Sequence, residues 1–486
     1  MPRERLPGAT ATPPGPPAAQ QVAKPRVPLA FVAVIACVAQ FMVVLDSSIV
    51  NVALPSMKTG LGLSATAQQW VVNGYLIAFG GLLLLAARAG DLFGRRRVFL
   101  IGLVVFTVAS LVGGLATQGW MLLTARVAQG VGAAALAPSS LSLITASHTE
   151  PAQRTRAMTW WGVAASSAGA AGIVLGGLLT ASLSWRWVML VNVPIGGCLL
   201  AAGLLGLQPS ESAATRARMD VPGAVTITLA ASAIVYGVSV APDRGWTSGP
   251  VLALLAGGIV LLAAFVAIER RTGEPLIPPD VFSIRNVRVG NVLTLCMGAV
   301  ITAPLFFLSL YLQQVLGESA LRTGLSLLPM ASVISIGVLV SQKLIPILGP
   351  RPMVVAGCLV AAAGLVWMAR LPAHAGYVGH VLLPTVVIGV GTSLTMMPAI
   401  VAATTGVSPR NAGVASGLLN MCRQLGAALG LAALVTVAAT VTHHSTAAGA
   451  TAVVEGYRVA FYGIAAMSLV TALLSLLLQG KDANAR

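Results

Sequence analysis

Two side chains are set for chemistry because each carries charge where the surrounding sequence is apolar. Asp46, in LDSSIVNVALP (residues 45–55), is the only acid inside a run apolar and long enough to cross a bilayer. It lies near the outer end of that run, about 27 Å from Pro28 at 1.5 Å per residue. Arg126, in LTARVAQGVG, lies well inside another such run. An ionisable group in hydrocarbon costs on the order of 2.5–3.5 kcal/mol on insertion scales, so a retained one marks a functional site. A carboxyl that gains and loses a proton can couple a carrier to a proton gradient. A guanidinium cannot shed its charge, so Arg126 needs a partner or a watery cavity. Asp46 is the natural partner, and its protonation would break the pair and free Arg126. The plainer alternatives are a solvated Asp46 capping the SSIVN turn and an Arg126 bonded to backbone carbonyls.

The elements that hold these residues follow from composition. The chain has 486 residues, 57% hydrophobic and 9% charged, with a mean hydropathy of +0.89. A soluble domain carries roughly 25% charged residues, so the solvent for most of this surface is lipid. Apolar stretches of about 20 residues, enough for a spanning helix, recur from Pro28 to Leu478. The ten-residue alternating segments of a barrel are absent. The expected fold is an all-α polytopic membrane protein. Its expected spans are residues 28–53, 68–87, 98–117, 121–146, 157–180, 187–207, 221–241, 250–268, 289–314, 323–345, 352–370, 378–402, 412–440 and 457–479.

Net charge of +16 raises the question of nucleic acid, and the location of the charge answers it. Counting the span-edge residues Lys343, Arg370 and Arg458 with the loops, those on the side of both termini carry 21 of the 29 Lys and Arg and the opposite loops 6, while Arg126 and Arg423 lie well inside spans. Such bias marks the cytoplasmic side, so both termini are expected there and no nucleic acid partner is called for. The five cysteines all fall in spans without metal-ligand spacing and read as small apolar packing. Arg outnumbers Lys 25 to 4, which suggests a GC-rich bacterial genome and hence a bacterial cell membrane.

An internal repeat runs at an offset of 255 residues: Arg88, Gly94, Arg96 and Gly102 recur as Lys343, Gly349, Arg351 and Gly357. One span later each copy reads GVG followed by proline, Gly130 to Pro138 and Gly389 to Pro398. Same-direction repeats suggest two similar bundles related by an axis along the membrane normal. The expected domains are a disordered tail (1–27), a six-helix bundle (28–207), a linker with two additional spans (208–286), a second six-helix bundle (287–480) and a short tail (481–486). In the connection between spans two and three, Gly94 permits the turn. Asp91 can there bond a helix N-terminus or the arginines Arg95, Arg96 and Arg97. A positive-inside loop explains the arginines but neither Asp91 nor Gly94, so this set reads as a conformational latch.

Two six-helix halves, the GDLFGRRR loop and LTARVAQGVGAA resemble the major facilitator superfamily. The extra helix pair, LDSSIVNVALP, SWRWVMLVNVPIG (184–196) and LLNMCRQLGAALG (418–430) are similar to its fourteen-helix drug:proton antiporters of the EmrB/QacA type. The likeness covers roughly residues 28–480. It implies a proton-coupling role for Asp46 and Arg126. The family's antiporter motif has proline after the first glycine of GAAGIVLGGLL, where this chain has Ile173. Gly172, Gly176 and Gly177 still allow close helix packing, with or without gating. The loop motif departs mildly, with Ala87 and Ala89 where the family has glycine and leucine.

Ser416, Asn420, Arg423 and Ala427 form a polar stripe at helical spacing, with Gln424 adjacent. Together with Gln69, Asn73 and Gln129 they are candidates to line a substrate cavity, with helix–helix hydrogen bonding as the equal alternative. Trp185, Arg186 and Trp187 read as an outer interfacial anchor. No nucleotide-binding loop or metal cluster is present, so enzyme chemistry, cofactor and metal are not expected, and energy must come from a gradient. The expectation is a proton-coupled exporter of lipophilic small molecules, working as a monomer in lipid by alternating access. Without further acids in the expected spans of the second half, neutral, weakly acidic or aromatic compounds fit as well as dications. The rivals are a dedicated exporter of an endogenous metabolite or self-made antibiotic and, in another class, a channel or non-transporting scaffold.

Overall fold

The computed structural model describes residues 28–148, 150–208, 219–273, 275–277, 279–372, 376–407, 412–447 and 449–478. The tails expected at 1–27 and 481–486 lie outside these. Among the described residues, fourteen helices are long and apolar enough to span a membrane. They are α1 (Leu29–Leu61), α2 (Ala65–Phe93), α3 (Arg95–Gly114), α4 (Gly119–Ser147), α5 (Pro151–Ser182) and α6 (Arg186–Gly206), then α7 (Val221–Arg244) and α8 (Gly249–Arg271). The last six are α9 (Arg285–Val315), α10 (Ala320–Leu348), α11 (Pro350–Met368), α12 (Val378–Thr404), α13 (Gly413–His444) and α14 (Ala450–Ser475).

The sequence repeat has a backbone counterpart. Gly94 precedes α3 at φ 93°, ψ 131°, and Gly349 precedes α11 at φ 79°, ψ 157°. Both lie in the left-handed half of the map, where a side chain is strained. Each repeat then packs its helix on the next through glycine. A Cβ on Gly102 would lie 3.1 Å from the Gly132 carbonyl, and one on Gly357 would lie 2.8 Å from the Gly391 carbonyl. The GVG segments of α4 and α12 therefore exist to let α3 and α11 approach.

Helices α1–α6 and α9–α14 meet along two seams, α5 against α10 and α2 against α13. Of the inserted pair, α7 packs on both α2 and α13 and so covers the second seam. Trp70 of α2 meets Tyr236 of α7 edge-on, and Thr436 Oγ1 of α13 donates to the Val238 carbonyl of α7 at 2.9 Å. Outside α7 lies α8, whose apolar window is only 17% buried and so is suited to lipid.

At the face holding the α1–α2 turn the halves are also tied by hydrogen bonds. Ser309 Oγ donates to the Asn51 carbonyl at 2.8 Å, and Gln313 Nε2 to the Val52 carbonyl at 2.9 Å. On the α5–α10 seam Gly177 comes so close that a Cβ would lie 2.5 Å from the Ala320 carbonyl. Gly172 and Gly176 pack on α1 instead, against Leu45, Ser48 and Ile49. With Ile173 in place of proline, α5 runs unbroken for 32 residues. Gly177→Val should cost about 1–3 kcal/mol of overpacking in this arrangement and open that face. Disulfide cross-linking between cysteines substituted at Val52 and Gln313 should slow accordingly; unchanged cross-linking would remove Gly177 from the seam.

Two expectations need correction. The first helix does not stop at residue 53 but continues through Pro55 to Leu61, which puts Asp46 at mid-helix. The sixth span, Arg186–Gly206, is as expected, with a single turn at Val191 that keeps helical dihedrals, φ −59° and ψ −28°. Trp185 is no surface anchor: it is 5% exposed and packs beside Gly60, while Trp187 is exposed.

Candidate functional site

Five helices converge on Asp46, which is 0% exposed. From α4, Arg126 Nη1 donates to Asp46 Oδ2 at 2.5 Å. One turn further on, Gln129 Nε2 donates to Asp46 Oδ1 at 3.0 Å and to Ser110 Oγ of α3 at 2.7 Å. From α6, just past the turn at Val191, Asn192 Nδ2 donates to the same Oδ1 at 2.8 Å. From α2, the Val71 carbonyl accepts from Arg126 Nε at 2.9 Å. The Tyr75 ring lies under the guanidinium, 4.4 Å from its Cζ, and its hydroxyl donates to the Val43 carbonyl of α1.

Each contact answers a physical demand. A buried ion pair persists only where its remaining lone pairs and N–H groups are satisfied. Here Arg126 has Asp46, Gln129 Oε1 at 2.9 Å, the Val71 carbonyl and the face of Tyr75. All three groups on the Asp46 carboxyl are donors, so the arrangement is that of an ionised carboxylate, which only accepts. A proton on Asp46 would need an acceptor that this shell does not aim at it. One waits next door: Asn192 Oδ1 is buried and has no partner. Turning the Asn192 amide over would present that oxygen to a protonated Asp46.

The sequence expectations meet this geometry unevenly. Asp46 and Arg126 are brought together. Gln129, expected to line a cavity, is instead fully buried within the ion-pair shell, because it faces α3 and α1. Gln69 and Asn73 are 1% and 0% exposed, and Gln69 Nε2 and both polar atoms of Asn73 lack partners, so they line no open space in this state. Asn420 and Arg423 lie together, Arg423 Nη2 donating to Asn420 Oδ1 at 2.6 Å. In the loop, Arg95 pairs with Asp91 at 3.8 Å and Arg96 Nη2 donates to the Leu204 carbonyl at 2.9 Å. Both are contacts among the first six spans. Sequence reasoning gave no role to Asn192, Ser110 or Tyr75. The available signal was an amide or hydroxyl inside an apolar span, and for Asn192 its place in SWRWVMLVNVPIG.

Duplicated six-helix halves, the first of them holding a buried ion pair, are the build of an integral membrane carrier. The Major Facilitator Superfamily model matches residues 36–431, and the chain belongs to that family. It is 44% identical over 446 residues to a cephamycin export protein of Amycolatopsis lactamdurans, covering 91% of each chain. It is 42% identical over 459 residues to a puromycin resistance protein of Streptomyces alboniger, covering 92% of this chain and 90% of that one. A tetracenomycin C resistance and export protein of Streptomyces glaucescens is 35% identical, over 81% of this chain and 73% of its own. Among solved structures, the proton-dependent oligopeptide family transporter PepTSo superposes with a TM-score of 0.67 at 13% identity, covering 92% of this chain and 97% of that one. That likeness speaks to the fold alone.

Proposed function

We propose that this chain exports a lipophilic antibiotic or related natural product in exchange for protons, by alternating access between its two halves. The observation that carries the reading is the carboxylate–guanidinium pair buried at the middle of α1, the other acids of the spanning helices, Asp91, Asp243, Glu269 and Glu455, lying close to helix ends. Deprotonated and paired, Asp46 holds α1, α3, α4 and α6 together. Protonated, it releases Arg126 and weakens that cluster, which changes the preferred tilt of one half against the other. The Asp91–Arg95 contact and the Gly94 turn act as the latch at the loop. The named relatives support the cargo, and those named for a single compound support a dedicated exporter over a broad one. The chain works in a bacterial cytoplasmic membrane with both termini inside, as a monomer, without cofactor, metal or nucleic acid.

The test is uptake of labelled antibiotic into everted vesicles with and without an imposed pH gradient. Accumulation that collapses with the gradient supports exchange. Uptake that merely equilibrates and shows no counterflow identifies a channel and overturns the reading.

A further inference from the structure

Charge between the two halves is unbalanced, and this bears on what is carried. Asp46 has both oxygens engaged by Arg126, Gln129 and Asn192, so it has no free lone pair directed at a passing cation. The other fixed charge at the centre is Arg423 of α13. Its neighbours on the same helix, Met421 and Gln424, pack against Gly80 of α2, while its own backbone carbonyl packs against Gly298 of α9. Arg423 therefore stands on the helix of the second half that forms the α2–α13 seam with the first. Among the described residues it has no acidic partner; the salt bridges there are those of Asp46, Asp91 and Glu318. One side-chain acceptor, Asn420 Oδ1, lies within hydrogen-bond distance of a group with five N–H donors.

Exposure along the stripe is graded. Ser416 is exposed, Asn420 and Arg423 are half-buried, and Ala427 is 2% exposed. The stripe thus leads inward from the face where α13 begins and ends just past Arg423. A guanidinium kept this deep without a resident carboxylate needs a counter-charge that can come and go. Its planar fork suits a carboxylate, which it can grip with two parallel bonds.

Resting on the export reading, we propose that Arg423 is the anchor for an acidic group and that the compounds exported are lipophilic organic anions bearing a carboxylate. The Asn420 side chain, already bonded to Arg423 Nη2, orients the fork.

A matched dye series tests this in proteoliposomes: dansylglycine as the anion, dansylamide as the uncharged form and dansylcadaverine as the cation. The wild type should move dansylglycine fastest. Arg423→Gln should slow dansylglycine at least tenfold and the other two less than twofold. Arg423→Lys, which keeps charge but not the fork, should recover part of the rate, and both variants are checked for wild-type elution and melting. A variant that fails this check is replaced by competition on the wild type, where dansylglycine should displace bound dansylamide and dansylcadaverine should not. Equal or faster transport of the cation, or a loss shared by all three dyes, overturns the anion assignment while leaving export intact. Transport of none of them, and of no labelled antibiotic, overturns the export reading itself.

Discussion

Asp46→Asn protein should still exchange substrate for substrate but should no longer accumulate it uphill, uptake under a pH gradient falling to that of vesicles without the transporter. The asparagine side chain keeps the shape of the carboxyl and loses the ability to ionise. Its oxygen can accept from Arg126 Nη1 where Oδ2 does now, 2.5 Å away. Its NH2 would face donors from Gln129 and Asn192; Gln129 is held by Arg126 and Ser110, and Asn192 is the amide that can turn over. For Asn192 the turn is cheap, since its Oδ1 has no partner to lose. The fold should therefore tolerate the change, and what disappears is proton coupling. Counterflow within about threefold of wild type, beside absent uphill uptake, is the expected pair of results. Uphill uptake within twofold of wild type would remove Asp46 from the energy-coupling step.

Arg126→Leu should be the most destabilising single change at this site, and adding a second mutation should relieve it. Removing one member of a buried ion pair leaves the other charged and unpaired, at a cost of about 3–5 kcal/mol. Replacing both members with apolar groups of similar volume is often close to neutral. The Arg126→Leu protein should melt well below wild type, and Asp46→Leu combined with Arg126→Leu should recover most of the loss while remaining unable to couple. Melting of the purified proteins in detergent checks the order. A double variant no more stable than the single one would show that the wider shell, and not the pair, holds α1 to α4.

The broad architecture was legible because lipid imposes it. Spans must be apolar and helical, and duplicated glycine turns such as Gly94 and Gly349 leave a mark in sequence and backbone alike. The Asp46–Arg126 pair was legible for the same reason: charge in hydrocarbon has few tolerable positions, and a lone acid and a nearby base find each other. Uncharged partners were not legible. An amide such as Asn192, 146 residues from Asp46, carries little penalty in a span, and nothing local says which helix it will meet. Gln129 was misplaced because sharing a face with Arg126 does not reveal whether that face meets a cavity or a neighbouring helix. The length of the first helix was underestimated because it continues past Pro55; in a membrane bundle neighbouring helices can satisfy the freed carbonyl.

That place along the helix has an electrical consequence. Asp46 stands 17 residues from Leu29 and 15 from Leu61, close to the middle of α1. With the transmembrane voltage falling evenly along α1, a proton arriving from either side crosses about half of it, worth about 1.2 kcal/mol per 100 mV, half the full-crossing value. Arrival and departure should each be voltage-sensitive to a similar degree, so stepping the voltage should perturb both half-cycles and not just one.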